Sequence, residues 1–237
     1  MNMRTAVLAV IGGIFAPLSG YAAGQFTPPA GCDLQMTVQM RSCQVANVYT
    51  CAGVEGDRWV SYADGEGEFF ISQIDHQTRW IESVSLETGE IDRLDMAGSA
   101  DHASFDALLA TGEDDYDFVT RNNFGDERRY VGVDRLTGEQ VSIDGVVLER
   151  CTFEVTSYDA EGQFMSRREG SQYVTREARM FFADAERFEN ALGEIFDTSD
   201  APVTFAFPGD ADFGATEPKF GCDMLMTNIS HAAEGAT

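Results

Sequence analysis

The stretch Cys151-Thr152-Phe153-Glu154-Val155-Thr156, with the turn Asp159-Ala160-Glu161-Gly162 behind it, decides the architecture of this chain. Alternation puts Cys151, Phe153 and Val155 on one face of a strand and the polar residues on the other. The glycine then supplies the positive φ of a short hairpin loop. The same period of two returns in Met36, Val38, Met40; in Val141, Ile143; in Val174, Ala178, Met180, Phe182; and in Val203, Phe205, Phe207. Further turn signals stand between these runs at Asp64-Gly65-Glu66-Gly67, Thr88-Gly89-Glu90 and Thr137-Gly138-Glu139. One-sided strands joined by short glycine turns predict a mainly β, single-domain fold: an antiparallel meander forming a strongly bent sheet or incomplete barrel. One short helix is expected to cover it, over Asp101 to Thr111. Asp101 would cap that helix, Phe105, Leu108 and Leu109 would form its apolar stripe, and Gly112 would be its left-handed stop. Residues 181–192 are read as a strand followed by a loose turn.

Residues 1–22 carry one early positive charge at Arg4, an apolar run from Ala6 to Leu18, and small residues before a cleavage point after Ala22. That pattern predicts a signal peptide, with 23–237 as the exported domain, periplasmic or secreted. The apolar run is shorter than the roughly 20 residues that span a bilayer, so stable membrane insertion is not expected. All five cysteines follow it, where an oxidising compartment permits disulfides. Cys151 sits on an apolar strand face and is read as a buried free thiol. The other four are disulfide candidates, with Cys43 to Cys51 and Cys32 to Cys222 as the preferred pairs; no C-x-x-C spacing suggests zinc.

The chain of 237 residues holds 40 acids against 16 bases, a formal charge of −24, which argues against nucleic acid or an anionic membrane surface as partner. At 43% hydrophobic and 24% charged it has globular composition. Lys219 is the single lysine, and ten of the arginines lie between Arg121 and Arg187. Arg128, Arg129, Arg167, Arg168, Arg176 and Arg179 are therefore candidates for a guanidinium face that binds a carboxylate, a phosphate or an acidic partner such as an envelope protein. The competing reading is cross-strand pairing with acids such as Glu127, Glu169 and Glu177.

No cofactor fingerprint, metal-ligand spacing or nucleophile elbow is found, so no cofactor or catalytic residue is assigned. His76, His102 and His231 are the available imidazoles, each read as a solvated turn, cap or tail residue. Asp210 and Asp212 imitate the start of a calcium loop but lack its third acid and distant Glu, leaving a plain turn at Pro208-Gly209-Asp210. Glu113-Asp114-Asp115-Tyr116-Asp117 reads as a charged loop. The aromatics Trp59, Trp80, Phe69, Phe70, Phe105, Phe118 and Phe153 are read as core, part of which would line a cavity if the sheet bends.

The succession Asp57-Arg58-Trp59-Val60-Ser61-Tyr62, a glycine turn, Glu68-Phe69-Phe70-Ile71-Ser72-Gln73-Ile74-Asp75, then Arg79-Trp80-Ile81-Glu82 resembles the hairpins of exported lipoprotein-carrier half-barrels of the LolA/LolB kind. The resemblance spans residues 57–82 and carries no invariant motif. It implies a bent sheet around an apolar cavity under a helical lid, with lipid or another apolar small molecule as ligand. The cysteines and the single helix depart from that family. The expectation is thus a non-enzymatic envelope binding protein. Its alternatives are an envelope structural or protein-interaction component and a hydrolase whose site forms only on folding.

Overall fold

The computed structural model describes residues 24–223, so the expected signal peptide and His231 lie outside the described residues. Thirteen strands and one helix follow in order. They are β1 (Cys32–Met40), β2 (Gln44–Cys51), β3 (Arg58–Asp64), β4 (Gly67–Ile74), β5 (Trp80–Ser85), β6 (Ile91–Leu94), α1 (Phe105–Thr111), β7 (Glu113–Asn122) and β8 (Glu127–Ile143), then β9 (Val146–Asp159), β10 (Phe164–Thr175), β11 (Met180–Asn190), β12 (Ile195–Ser199) and β13 (Pro202–Ala206). They form one antiparallel sheet, β12-β11-β10-β9-β8-β7-β6-β5-β4-β3-β2-β1-β13, that is not closed into a barrel. The expected class is borne out, and residues 181–192 are indeed strand and turn.

The last connection shapes the whole sheet. β12 lies at one edge and β13 at the other, yet only Asp200 and Ala201 separate them. Laid flat, thirteen strands would put those edges about 58 Å apart at the usual strand spacing, whereas the link reaches only about 11 Å. The sheet must therefore roll until its edges meet. At the seam Asp200 N–H donates to Asp184 O (2.8 Å) and Arg41 N–H to Ala201 O (3.0 Å). The Phe182 and Phe205 rings cross the seam edge to face at 5.3 Å. Rolling packs Met36, Val38, Met40, Ala46, Val48 and Val60 of the first three strands against Leu148, Tyr173, Met180 and Phe182 of β9–β11, which is the main core.

β1 and β2 are buried on both faces. Their polar side is covered by residues 214–220: Gly214 N–H donates to Thr37 Oγ1 (2.8 Å), Asn47 Nδ2 to Ala215 O (2.9 Å) and Gln39 Nε2 to Glu217 O (3.1 Å), while Gln39 Oε1 accepts from Lys219 N–H (2.8 Å). Each buried amide is thereby partnered, the condition for tolerating it away from water.

Several expectations are corrected. The four disulfide candidates are bonded, but as Cys32–Cys51 and Cys43–Cys222. Cys43 and Cys51 stand at opposite ends of β2, about 26 Å of strand apart, and the hairpin register instead sets Cys32 across from Cys51. Cys151 is the buried free thiol, as expected. The helix cap is Ser104, whose side chain accepts from Ala107 N–H, because the backbone of Asp101 is already bridged to Asp117; Gly112 is the left-handed stop, as expected. Thr137-Gly138-Glu139 is no hairpin. β9 runs on beside it, and three residues of β8 bulge opposite Arg150, the true turn falling at Asp144-Gly145. Val174 and Met180 belong to separate strands joined by a turn at residues 176–179.

Cys43–Cys222 closes a span of 179 residues and Cys32–Cys51 one of 19. Cys43→Ser with Cys222→Ser is expected to cost about 2 kcal/mol more stability than Cys32→Ser with Cys51→Ser on loop-closure entropy. Urea unfolding of the two double variants checks this; equal losses would contradict it.

Candidate functional site

Rolling leaves a cavity of about 670 Å³ on the inner face of β4–β11, bounded at one end by the lead-in to α1. This volume suits a small-molecule ligand. α1 closes that end because Phe105 and Leu108 pack on Leu136, Cys151, Val174 and Phe181, all from β8–β11. The Arg179 guanidinium lies over the Phe105 ring at 4.7 Å.

The floor is easiest to read as rungs across β7 and β8. Every second pair lies on the inner face: Asp114 with Asp134, Tyr116 with Gly132, Phe118 with Tyr130, Thr120 with Arg128; all but Asp114 and Gly132 line the cavity. Phe118 and Tyr130 stack at 5.0 Å, and Trp80 stands edge-on to both at 5.5 and 5.6 Å. Phe118 is buried at 6% exposure while Trp80 keeps 46%, so Trp80 presents indole to the cavity above a fixed aromatic base. Gly132 is dictated by this packing: a Cβ there would lie 2.6 Å from the Tyr116 ring and 2.5 Å from Glu154 O. The missing side chain lets Tyr116 lie across the next strand.

The charged lining is paired in a particular way. Arg128 binds Glu90 at 2.6 Å and stands 3.7 Å from Asp92, Arg168 binds Glu186 at 2.8 Å, and Arg79 Nε donates to Asp75 at 2.7 Å. The hydrogen bond from Arg128 holds the Glu90 carboxyl below its usual range, whereas burial pushes the Asp92 carboxyl up. Asp114 and Asp134, 8% and 9% exposed, have no arginine partner. Asp114 Oδ2 accepts from Ser104 N–H (2.7 Å) and Asp134 Oδ1 from Gln172 Nε2 (2.7 Å). Burial first, then repulsion from Asp114, pushes Asp134 up to about 7; burial is the main cause that takes Asp114 up to about 6. Beside them Cys151 is raised to about 12 by burial and is an inert thiol.

The six candidate arginines do not form one face. Arg128 and Arg168 line the cavity, while Arg129 and Arg167, their strand neighbours, point the other way by alternation. All six are paired with acids: Arg129 with Asp117, Arg167 with Glu154 and Glu169, Arg176 with Glu149, Arg179 with Asp106. Glu113 to Asp117 is the start of β7 and not a loop: Arg135 pairs with Glu113, Arg129 with Asp117, and Ser104 N–H meets the inner Asp114. His102 lines the cavity with Nδ1 buried and unpartnered, and among the described residues neither it nor His76 hydrogen-bonds a carboxylate. Asp210 Oδ2 accepts from Phe207 N–H and Asp212 pairs with Lys219, as in a plain turn. Of the aromatics read from sequence, Trp80, Phe69, Phe70, Phe118 and Phe153 reach the cavity, whereas Phe105 is core and Trp59 stacks on Tyr49 away from it. Asp134, Gln172 and Tyr130 were missed; the one signal for them is the Tyr116, Phe118 alternation against Tyr130 and Gly132.

Asp114 and Asp134 have folded pKa values above the unfolded value near 3.8. Between about pH 4 and pH 7 the folded chain therefore binds more protons than the unfolded one, and these two carboxyls reduce stability as pH rises through that window. Asp134→Asn, which keeps an acceptor for Gln172, is expected to unfold at higher urea than the parent at pH 8 and at equal urea at pH 4. Parallel curves at both pH values would contradict the assignment.

Compared with protein-family profiles, curated proteins and solved structures, the chain matches none.

Proposed function

We propose that this is an exported, non-enzymatic binding protein of the cell envelope that holds a small molecule with an apolar body in the cavity of its rolled sheet. The observation that carries this reading is Trp80, a large aromatic that lines the cavity and stays 46% exposed rather than packed away, edge-on to the stacked Phe118 and Tyr130. Aromatic rings around a cavity of this size are what an apolar ligand requires: large contact area, little rotamer freedom to lose, and polar groups at a few points for orientation.

Export is supported by the residues 1–22 pattern and by two disulfides, which persist in oxidising compartments. A bent antiparallel sheet with a helix across one end is also the build that the lipoprotein-carrier resemblance implies. Here the helix at that end is a single one of seven residues.

With Trp59 replaced by Phe, Trp80 is the sole tryptophan and reports on the cavity. Titration with N-phenyl-1-naphthylamine, a neutral apolar dye, is expected to change Trp80 emission saturably, and Trp80→Ala is expected to weaken dye binding about tenfold, the worth of one buried aromatic contact. Native mass spectrometry of the protein from its own compartment is expected to show a stoichiometric small molecule. A bare mass together with an unresponsive Trp80 would overturn the reading.

A further inference from the structure

We propose that the cavity selects a positively charged ligand: an organic cation, a primary or quaternary amine on an apolar chain or ring, whose body lies against Trp80, Phe118 and Tyr130 and whose charge is met by Asp134. This rests on the binding reading above and adds the chemical class of what is bound.

The first support is the use of charge in the lining. Arg79, Arg128 and Arg168 are its three arginines, against Glu90, Asp92, Asp134, Asp184, Glu186 and Asp200. Each arginine is already engaged by a carboxylate, so an anionic head group would meet no free guanidinium and would have to break an ion pair to gain one. Asp184 already has a counter-charge in Arg150 at 2.6 Å and a further donor in Ser171 Oγ at 2.7 Å. Asp134 has no such counter-charge. It is more than nine-tenths buried, it lines the cavity, one oxygen accepts from Gln172, and no described residue donates to Oδ2. A buried carboxyl lacking a counter-charge is a site prepared for one.

The second support is the order of the rungs. Along the cavity face of β8, Asp134, Gly132 and Tyr130 succeed one another, so the carboxyl lies about 13 Å along the strand from the stacked pair. Tyr116 spans the interval across Gly132. The floor is thus acidic at the α1 end and aromatic along its next two rungs, an arrangement that matches a molecule with a cationic head and an apolar tail. The aromatic faces add to this, since their quadrupole attracts a cation and not an anion. A fatty acid, the obvious ligand for an apolar cavity, would place its carboxylate against Asp134 at the α1 end, or at the other end against an Arg128 already engaged by Glu90 and close to Asp92.

Three probes with one tail and three heads separate the alternatives: decyltrimethylammonium, decanol and decanoate, each below its micelle-forming concentration, at pH 8 and 0.15 M salt. They would be titrated into the full chain carrying Trp59→Phe, with Trp80 emission as readout. The expected result is that the cation binds at least about tenfold more tightly than decanol and decanoate, and that Asp134→Asn narrows that gap to about threefold or less. Decanol or decanoate binding as tightly as the cation, or a gap that survives Asp134→Asn, would overturn the cation assignment while a responding Trp80 keeps the cavity as a binding site. No response to any of the three would overturn both.

Discussion

The two residues between β12 and β13 are the constraint from which the rest of the structure follows. A meander of twelve strands adds each strand beside the last and has no reason to curl beyond the natural twist. Sending the thirteenth back to pair with the first, on a link too short to cross a flat sheet, forces the roll. Rolling brings the inner apolar faces of β1–β3 onto those of β9–β11 and makes a core without a second sheet or a layer of helices. The curvature that fills one part of the interior leaves another part, over β7 and β8, too wide for side chains to meet. α1 closes one end of that space.

Two groups of polar residues behave differently inside this frame. Thr37, Gln39 and Asn47 are buried by the segment that the Cys43–Cys222 bond holds down, and each finds a backbone or side-chain partner, so they add specificity without leaving a polar group unsatisfied. Asp114 and Asp134 are buried without a cation, at neutral pH the least stable way to place a carboxyl. A fold that places ten arginines on its strands and ties most of them to acids has the means to neutralise those two and leaves them alone. The outer ion pairs are exposed and individually weak, worth about 0–1 kcal/mol each. Their chief effect is to let acid-rich strands such as β7 pair at all.

The strand pattern, most of the turns, the buried Cys151 and the stop of the helix at Gly112 were legible because each depends on residues close together in sequence. The Thr137-Gly138-Glu139 segment misled because a bulge and a hairpin use the same glycine conformation, and only a partner strand that continues past it tells them apart. The Asp114 segment misled because acids disfavour strands in isolation, and the arginines and the Ser104 amide that stabilise them come from elsewhere in the chain. The cysteine residues to be bonded were identifiable, but their pairing was not: it follows from where the first hairpin turns and from where the C-terminal segment is carried.

The sequence by itself determined the antiparallel meander, since alternation and glycine turns act over a few residues and need no distant partner. It also determined the acidity of the chain and the pattern for export. Only the tertiary structure decided that the sheet rolls, which disulfides form, that Trp80 remains exposed above Phe118 and Tyr130, and that Asp134 faces the cavity unpaired. These depend on edge strands meeting across the whole length of the chain, and on registers that bring residues from separate strands onto one face. No local pattern records such a meeting, because the forces that fix it act only once the sheet has rolled and brought its distant strands together.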